Sequence, residues 1–191
     1  MVDRSRATPS TIGFLSMVNE MRITEYRSMT AEPYQARKIP DHWVKSPKRV
    51  VIGRIIAVSG VRLKQRGTGL IYPRSRAFPQ GSIVELTVTD DKPANPGDTV
   101  NSVLYLGFFE VQQGGIIVVG ESVEVKGTLI GVVAGFSDIH YPNHLNLIVT
   151  GTEEYVATNL LPYEDGSMAK LETALEDEVL FGRAECNRAE E

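Results

Sequence analysis

Few polar groups in this 191-residue chain have the type and setting to do chemistry, and most of them interrupt apolar runs. Glu121 and Glu124 follow IIVVG, Glu110 follows YLGFF, Tyr105 lies in SVLYLGFF and Asn146 splits HLNLIV. A hydroxyl, an amide or a protonated carboxyl in an apolar pocket can hydrogen-bond a substrate carbonyl and polarise it. Tyr105, Glu121, His140, Tyr141 and Asn146 are therefore the candidate catalytic residues. Both an inward and an outward direction are open for each. Glu110 and Glu124 read instead as part of a solvated face.

The spacing of His140 and His144 invites a metal, since imidazoles four apart on a helix converge on one ion. Pro142 stands between them and the surroundings read as strand, which would hold the rings roughly 13 Å apart at strand rise. No metal is expected on that ground. Ser137, Asp138 and His140 hold three triad residue types, but triads assemble across a fold and not within four residues. There is no GxxxxGK[ST] loop, no GxGxxG after a strand and no G-x-S-x-G elbow. Cys186 is the only cysteine, so neither an internal disulfide nor a four-cysteine zinc site can form. No cofactor is expected.

These groups must be positioned by strands. RVVIGRIIAVSG (49–60) is rich in β-branched residues, and GSIVELTVTD (81–90) alternates with period two. Residues 102–127 read as two strands joined by Gln112-Gln113-Gly114-Gly115, a hairpin signal. TLIGVVAGFSDI (128–139) and HLNLIVTG (144–151) add two more. Glycines inside strands (Gly53, Gly107, Gly120, Gly131, Gly135) allow sharp bending, and closure removes exposed edges. The pattern predicts a mainly β fold, a closed antiparallel barrel of about eight strands over residues 49–166, with a sandwich as the alternative.

Helical signals flank it. Phe14, Leu15, Met17, Val18 and Met21 fall at helical spacing within residues 10–29, with Ser10 or Thr11 as N-cap. A Pro-rich stretch pinned by Trp43 completes an arm over residues 1–48. In the tail, 167–191, Met168, Leu171, Leu175 and Val179 predict a C-terminal helix, with a strand around Val179–Phe181 as its rival.

Residues 1–76 carry 15 Lys/Arg against 5 Asp/Glu, and residues 77–191 carry 5 against 19. A basic stripe can bind nucleic acid, but no recognition helix or RNA-stacking signature accompanies it, so mutual neutralisation of the two halves is the preferred reading. No apolar run is long enough to span a bilayer and no signal peptide is evident, which predicts a cytoplasmic protein without a membrane partner.

Three stretches, GSIVELTVTDDKPANPGDTVNS, VLYLGFFEVQQGGIIVVGESVEV and KGTLIGVVAGFSD, with NHLNLIVTGTEEYVATN after them, resemble the small barrels of the allene oxide cyclase and dirigent type. The pattern is most similar to the bacterial spirotetronate and spirotetramate cyclases, the Diels-Alderases of polyketide biosynthesis. The resemblance covers 100 to 130 residues and transfers no catalytic residue. It implies a cofactor-independent cyclase or isomerase that folds a flexible hydrophobic chain in the barrel lumen, where holding the reacting ends together lowers the barrier. Phe14, Met17 and Met21 would then belong to a lid, and Trp43, Tyr72, Phe109 and Phe136 would line the substrate. A ligand-carrying barrel and an interaction module are the alternatives, and a homo-oligomer, dimer or trimer, is expected.

Overall fold

The computed structural model describes residues 48–160, 167 and 173–182. The arm with Phe14, Met17, Met21 and Trp43 lies outside the described residues. In chain order the described elements are β1 (Val51–Leu63), β2 (Thr68–Gly69), β3 (Ser75–Phe78), β4 (Ile83–Thr89), β5 (Thr99–Val100), β6 (Val103–Gln113), β7 (Gly115–Val118), β8 (Ser122–Val125), β9 (Thr128–Ser137), β10 (Leu145–Gly151), α1 (Glu153–Asn159) and β11 (Glu178–Gly182).

Seven of the strands close a barrel in the order β1-β11-β8-β9-β10-β4-β6, with β6 pairing back onto β1. The barrel predicted from glycine placement is present, with two corrections. It has seven strands and not about eight, and β10 runs parallel to β4 while the other neighbours are antiparallel. Alternation of side chains reveals faces but not the direction of a partner strand. The expected hairpin at Gln112–Gly115 is also replaced: β7 leaves the barrel sheet and pairs with β3.

The predicted C-terminal helix gives way to its rival where the chain is described. Leu175 sits exposed in a turn, and β11 slots between β1 and β8 with Val179 and Phe181 fully buried. The barrel therefore extends past residue 166 and needs this late strand to close. Met168 and Leu171 lie outside the described residues. A helix does occur at α1, capped by the Thr152 hydroxyl, which accepts from the Tyr155 N–H at 3.1 Å. Glu153 and Glu154 complement its positive N-terminal end. Arg62 Nε donates to the Asn159 carbonyl at 2.7 Å and satisfies its last turn.

Val84, Leu86 and Val88 of β4 face inward with Leu104, Leu106 and Phe109 of β6, Phe136 of β9 and Phe181 of β11. Most of these expose less than 2 % of their surface, which leaves no water-sized space beside them. Phe109 stacks on Phe181 at 5.4 Å between centroids, and Phe78 on Phe136 at 6.0 Å. The interior is a packed core, as expected for a barrel of this strand number. Phe109 and Phe136 are part of that packing and do not wall a hollow.

Part of the wall is double. Leu70 and Val100, from the segment around the β2/β5 pair, pack with Val103, Tyr105, Ala134 and Ile148 on the outer face. Leu70 N–H donates to the Asp98 carbonyl and Ile71 N–H to the Phe136 carbonyl, so this layer is stitched to the barrel. That cover lies over Tyr105 and Ile148, the strand partners of Thr87, and so helps bury the outward face of β4, where six consecutive residues, Val84 to Thr89, are buried. Basic residues of the first part of the chain also meet acidic ones of the second, at Lys48–Glu121 (2.8 Å) and Arg54–Glu176 (3.0 Å). Among the described residues no helix is long and apolar enough to cross a membrane.

Candidate functional site

The outer face of the barrel carries a row of four side chains, one from each of four adjacent strands. Ser137 lies opposite Asn146, Asn146 beside Glu85, and Glu85 opposite Phe108. Strand pleating puts all four on the side away from the core, because Val84, Leu86 and Leu147, the inward neighbours, belong to it. Glu85 is nevertheless only 7 % exposed and Asn146 only 2 %. A buried polar pair of this kind must find its partners locally.

Those partners come from the turn that joins β9 to β10. Tyr141 N–H donates to the Asp138 carbonyl at 2.9 Å, Asn143 N–H to the His140 carbonyl at 2.9 Å, and His144 N–H to the same carbonyl at 3.4 Å. The last is a five-residue closure, the geometry of one helical turn. It brings His140 and His144 together as a helix would, with their rings 4.8 Å apart between centroids. This corrects the roughly 13 Å expected from strand rise. The segment is a folded turn, and Pro142 sits inside it.

The turn lays both imidazoles over Glu85. Glu85 Oε2 lies 3.5 Å from His140 Nδ1 and 3.4 Å from His144 Nε2. The two ring nitrogens are 3.0 Å apart. Asn146 Nδ2 donates to Glu85 Oε2, and Asn146 Oδ1 stands 3.2 Å from His140 Nδ1. Asn143 Nδ2 lies 3.1 Å from His144 Nδ1, and the Phe108 ring meets His144 edge-on at 5.0 Å. A carboxylate, two imidazoles and an amide thus converge on one point at the surface of the wall, and the one-third exposed His140 side chain gives solvent access. The donor set is also one that a metal ion accepts.

Of the five predicted catalytic residues, His140 and Asn146 meet here. The other three do not, and none of the five enters the core. Tyr105 is on the outer face under the second layer, where its hydroxyl accepts from Arg66 Nε at 2.7 Å. Glu121 sits just before β8, held by Lys48 and by the Val118 N–H at 3.1 Å. Tyr141 is 67 % exposed at the tip of the turn. Tyr72, expected to line the substrate, lies half-exposed against Gly97. Glu85 and His144 were missed as catalytic candidates. Glu85 occupies the polar phase of an alternating strand, which the sequence presents as an ordinary solvated position.

Residues 45–165 match the family described as a family of unknown function (DUF6917), and the chain belongs to that family. No curated protein matches the chain, and no solved structure matches it. The matched span contains the whole Glu85–His140–His144–Asn146 cluster.

Proposed function

We propose that this family member is a hydrolytic enzyme that activates water on the outer wall of its barrel, at the cluster of Glu85, His140 and His144. One observation carries the reading: a buried carboxylate and two imidazoles converge within 3.5 Å of one another at a point that solvent can reach. Such groups can take the proton of a bound water while its oxygen attacks a carbonyl carbon, then return that proton to the leaving alkoxide. Asn146 fixes the carboxylate by its hydrogen bond and so holds the geometry before substrate arrives.

The cyclase reading drawn from the family-like pattern needs a hydrophobic chain folded inside the lumen. The side chains filling that lumen support no such site, so a cyclisation would also have to take place on the outer wall. Water activation is the stronger proposal because it uses the groups that meet.

Hydrolysis of 4-nitrophenyl acetate, a generic activated ester, tests it. The full chain should accelerate release of nitrophenol over buffer, and Glu85→Gln and His144→Ala should each lose at least tenfold of that rate. Glu121→Gln, a change at the Lys48 ion pair outside the cluster, should keep it. Equal rates in buffer and in protein, or rates indifferent to the cluster substitutions, would overturn the reading.

A further inference from the structure

We propose that Glu85, His140 and His144 bind a divalent transition-metal ion of the zinc class through Glu85 Oε2, His140 Nδ1 and His144 Nε2, with a fourth position left for water. The proposal rests on the same cluster as the hydrolytic reading and deepens it: with the ion bound these three atoms would be ligands, and the ion, rather than their lone pairs, would make the attacking water acidic.

The separations are those of a coordination shell. The three donor atoms form a triangle with sides of 3.0, 3.4 and 3.5 Å. Zinc binds imidazole nitrogen and carboxylate oxygen at about 2.0–2.2 Å. In a triangle this small, a point at that distance from every corner lies just off its plane. An ion there would have three protein donors, the donor set of catalytic zinc sites with two histidines and a glutamate.

Hydrogen bonding alone accounts poorly for the same triangle. A neutral imidazole has one N–H and one lone pair, and a carboxylate only accepts. If both imidazoles donate to Glu85, their N–H groups confront each other across 3.0 Å. If one donates to the other, one ring nitrogen loses its bond to the carboxylate. A cation at the centre satisfies all three donors together.

The surroundings suit the ion. Asn146 donates to Glu85 Oε2 and places its own oxygen 3.2 Å from His140 Nδ1, so its amide borders two of the three donor atoms and fixes their positions. The Asn143 amide lies 3.1 Å from His144 Nδ1. Turned about its amide so that the oxygen faces the ring, Asn143 would accept from Nδ1–H and leave the Nε2 lone pair for the metal, since amide O and N are assigned by the hydrogen-bond network. Imidazole and carboxylate without thiolate favour zinc and its first-row neighbours over soft ions. The charge balance fits as well, since one carboxylate offsets part of a divalent charge in a site that is largely buried.

Calorimetric titration of the metal-stripped full chain with Zn²⁺, and absorption spectroscopy with Co²⁺, test the proposal. Wild-type protein should bind one Zn²⁺ per chain, and the Co²⁺ form should show the intense visible bands of a four-coordinate site. Glu85→Gln and His140→Ala should each weaken Zn²⁺ at least 100-fold while circular dichroism stays that of the wild type. The Co²⁺ spectrum needs no variant, so a substitution that fails to fold does not spoil the test. Absence of stoichiometric binding, or binding unchanged in a folded Glu85→Gln protein, overturns the proposal. Zn²⁺ binding without ester hydrolysis supports the metal site and overturns the hydrolytic reading alone. Hydrolysis that is lost in Glu85→Gln but indifferent to chelators and added Zn²⁺ overturns the metal site alone.

Discussion

Asn146 shows how much a single buried side chain can organise. Its amide donates to Glu85 and its oxygen faces His140, so it links the wall to the turn in one residue. Asn146→Ala should weaken Zn²⁺ by about 10–100-fold, the usual cost of losing an outer partner of a metal ligand. Titration against the wild type measures it, with the Co²⁺ bands as a check on coordination; an unchanged affinity would mean the carboxylate is held by other contacts. Ser137, at the end of the same row, behaves differently. Its hydroxyl is buried and without a hydrogen-bond partner among the described residues. An unsatisfied buried polar group is unfavourable, so Ser137→Ala should leave stability unchanged or raise it by about 1 kcal/mol in denaturant unfolding. A loss above that size would mean the hydroxyl is bonded in solution. The contrast also explains what the sequence made legible. Asn146 stood out because it breaks an apolar pattern and His140 because of its spacing from His144, whereas Glu85 keeps the alternation of its strand. Only the tertiary cover over β4 turns that ordinary position into a buried carboxylate.

At the level of strands and turns, the local signals predicted better than the pairings. β1, β4, β6, β9 and β10 were legible because β-branched residues and period-two alternation coincide there. The parallel contact of β4 with β10 was not, since nothing in an alternating strand encodes its neighbour's direction. The tail misled for a physical reason: Met168, Leu171, Leu175 and Val179 satisfy helical spacing, while Val179 and Phe181 equally satisfy a strand. Burial decides between them, and the gap between β1 and β8 accepts the strand. Phe181→Ala should therefore cost about 3–5 kcal/mol, the penalty for truncating a buried phenylalanine. Chemical denaturation reads it. A loss under 1 kcal/mol would show that β11 is dispensable to closure. The turn over the site was illegible for a related reason: one five-residue closure, not the periodicity on either side, brings the two histidines together.

The barrel is a packed body with its polar cluster on the outer wall, and the packing makes a prediction about its interior. Gly53 of β1 faces the Phe109 ring so closely that an added Cβ would collide with Cδ2 and stand 3.1 Å from Cε2. Phe109 has nowhere to retreat, being fully buried against Phe181. In a roomy lumen the ring would swing aside and Gly53→Ala would cost little. In a packed one the extra methyl forces a strained rotamer or a shift of the wall, worth about 1–3 kcal/mol. Phe109→Ala removes the obstructing ring, so adding Gly53→Ala to that background should cost at least about 1 kcal/mol less than adding it to the wild type. The double-mutant cycle, read by urea unfolding of all four proteins, isolates that coupling from the intrinsic effect of each change. Additive losses would mean that the ring has space beside it. A solid interior instead requires the two positions to be coupled.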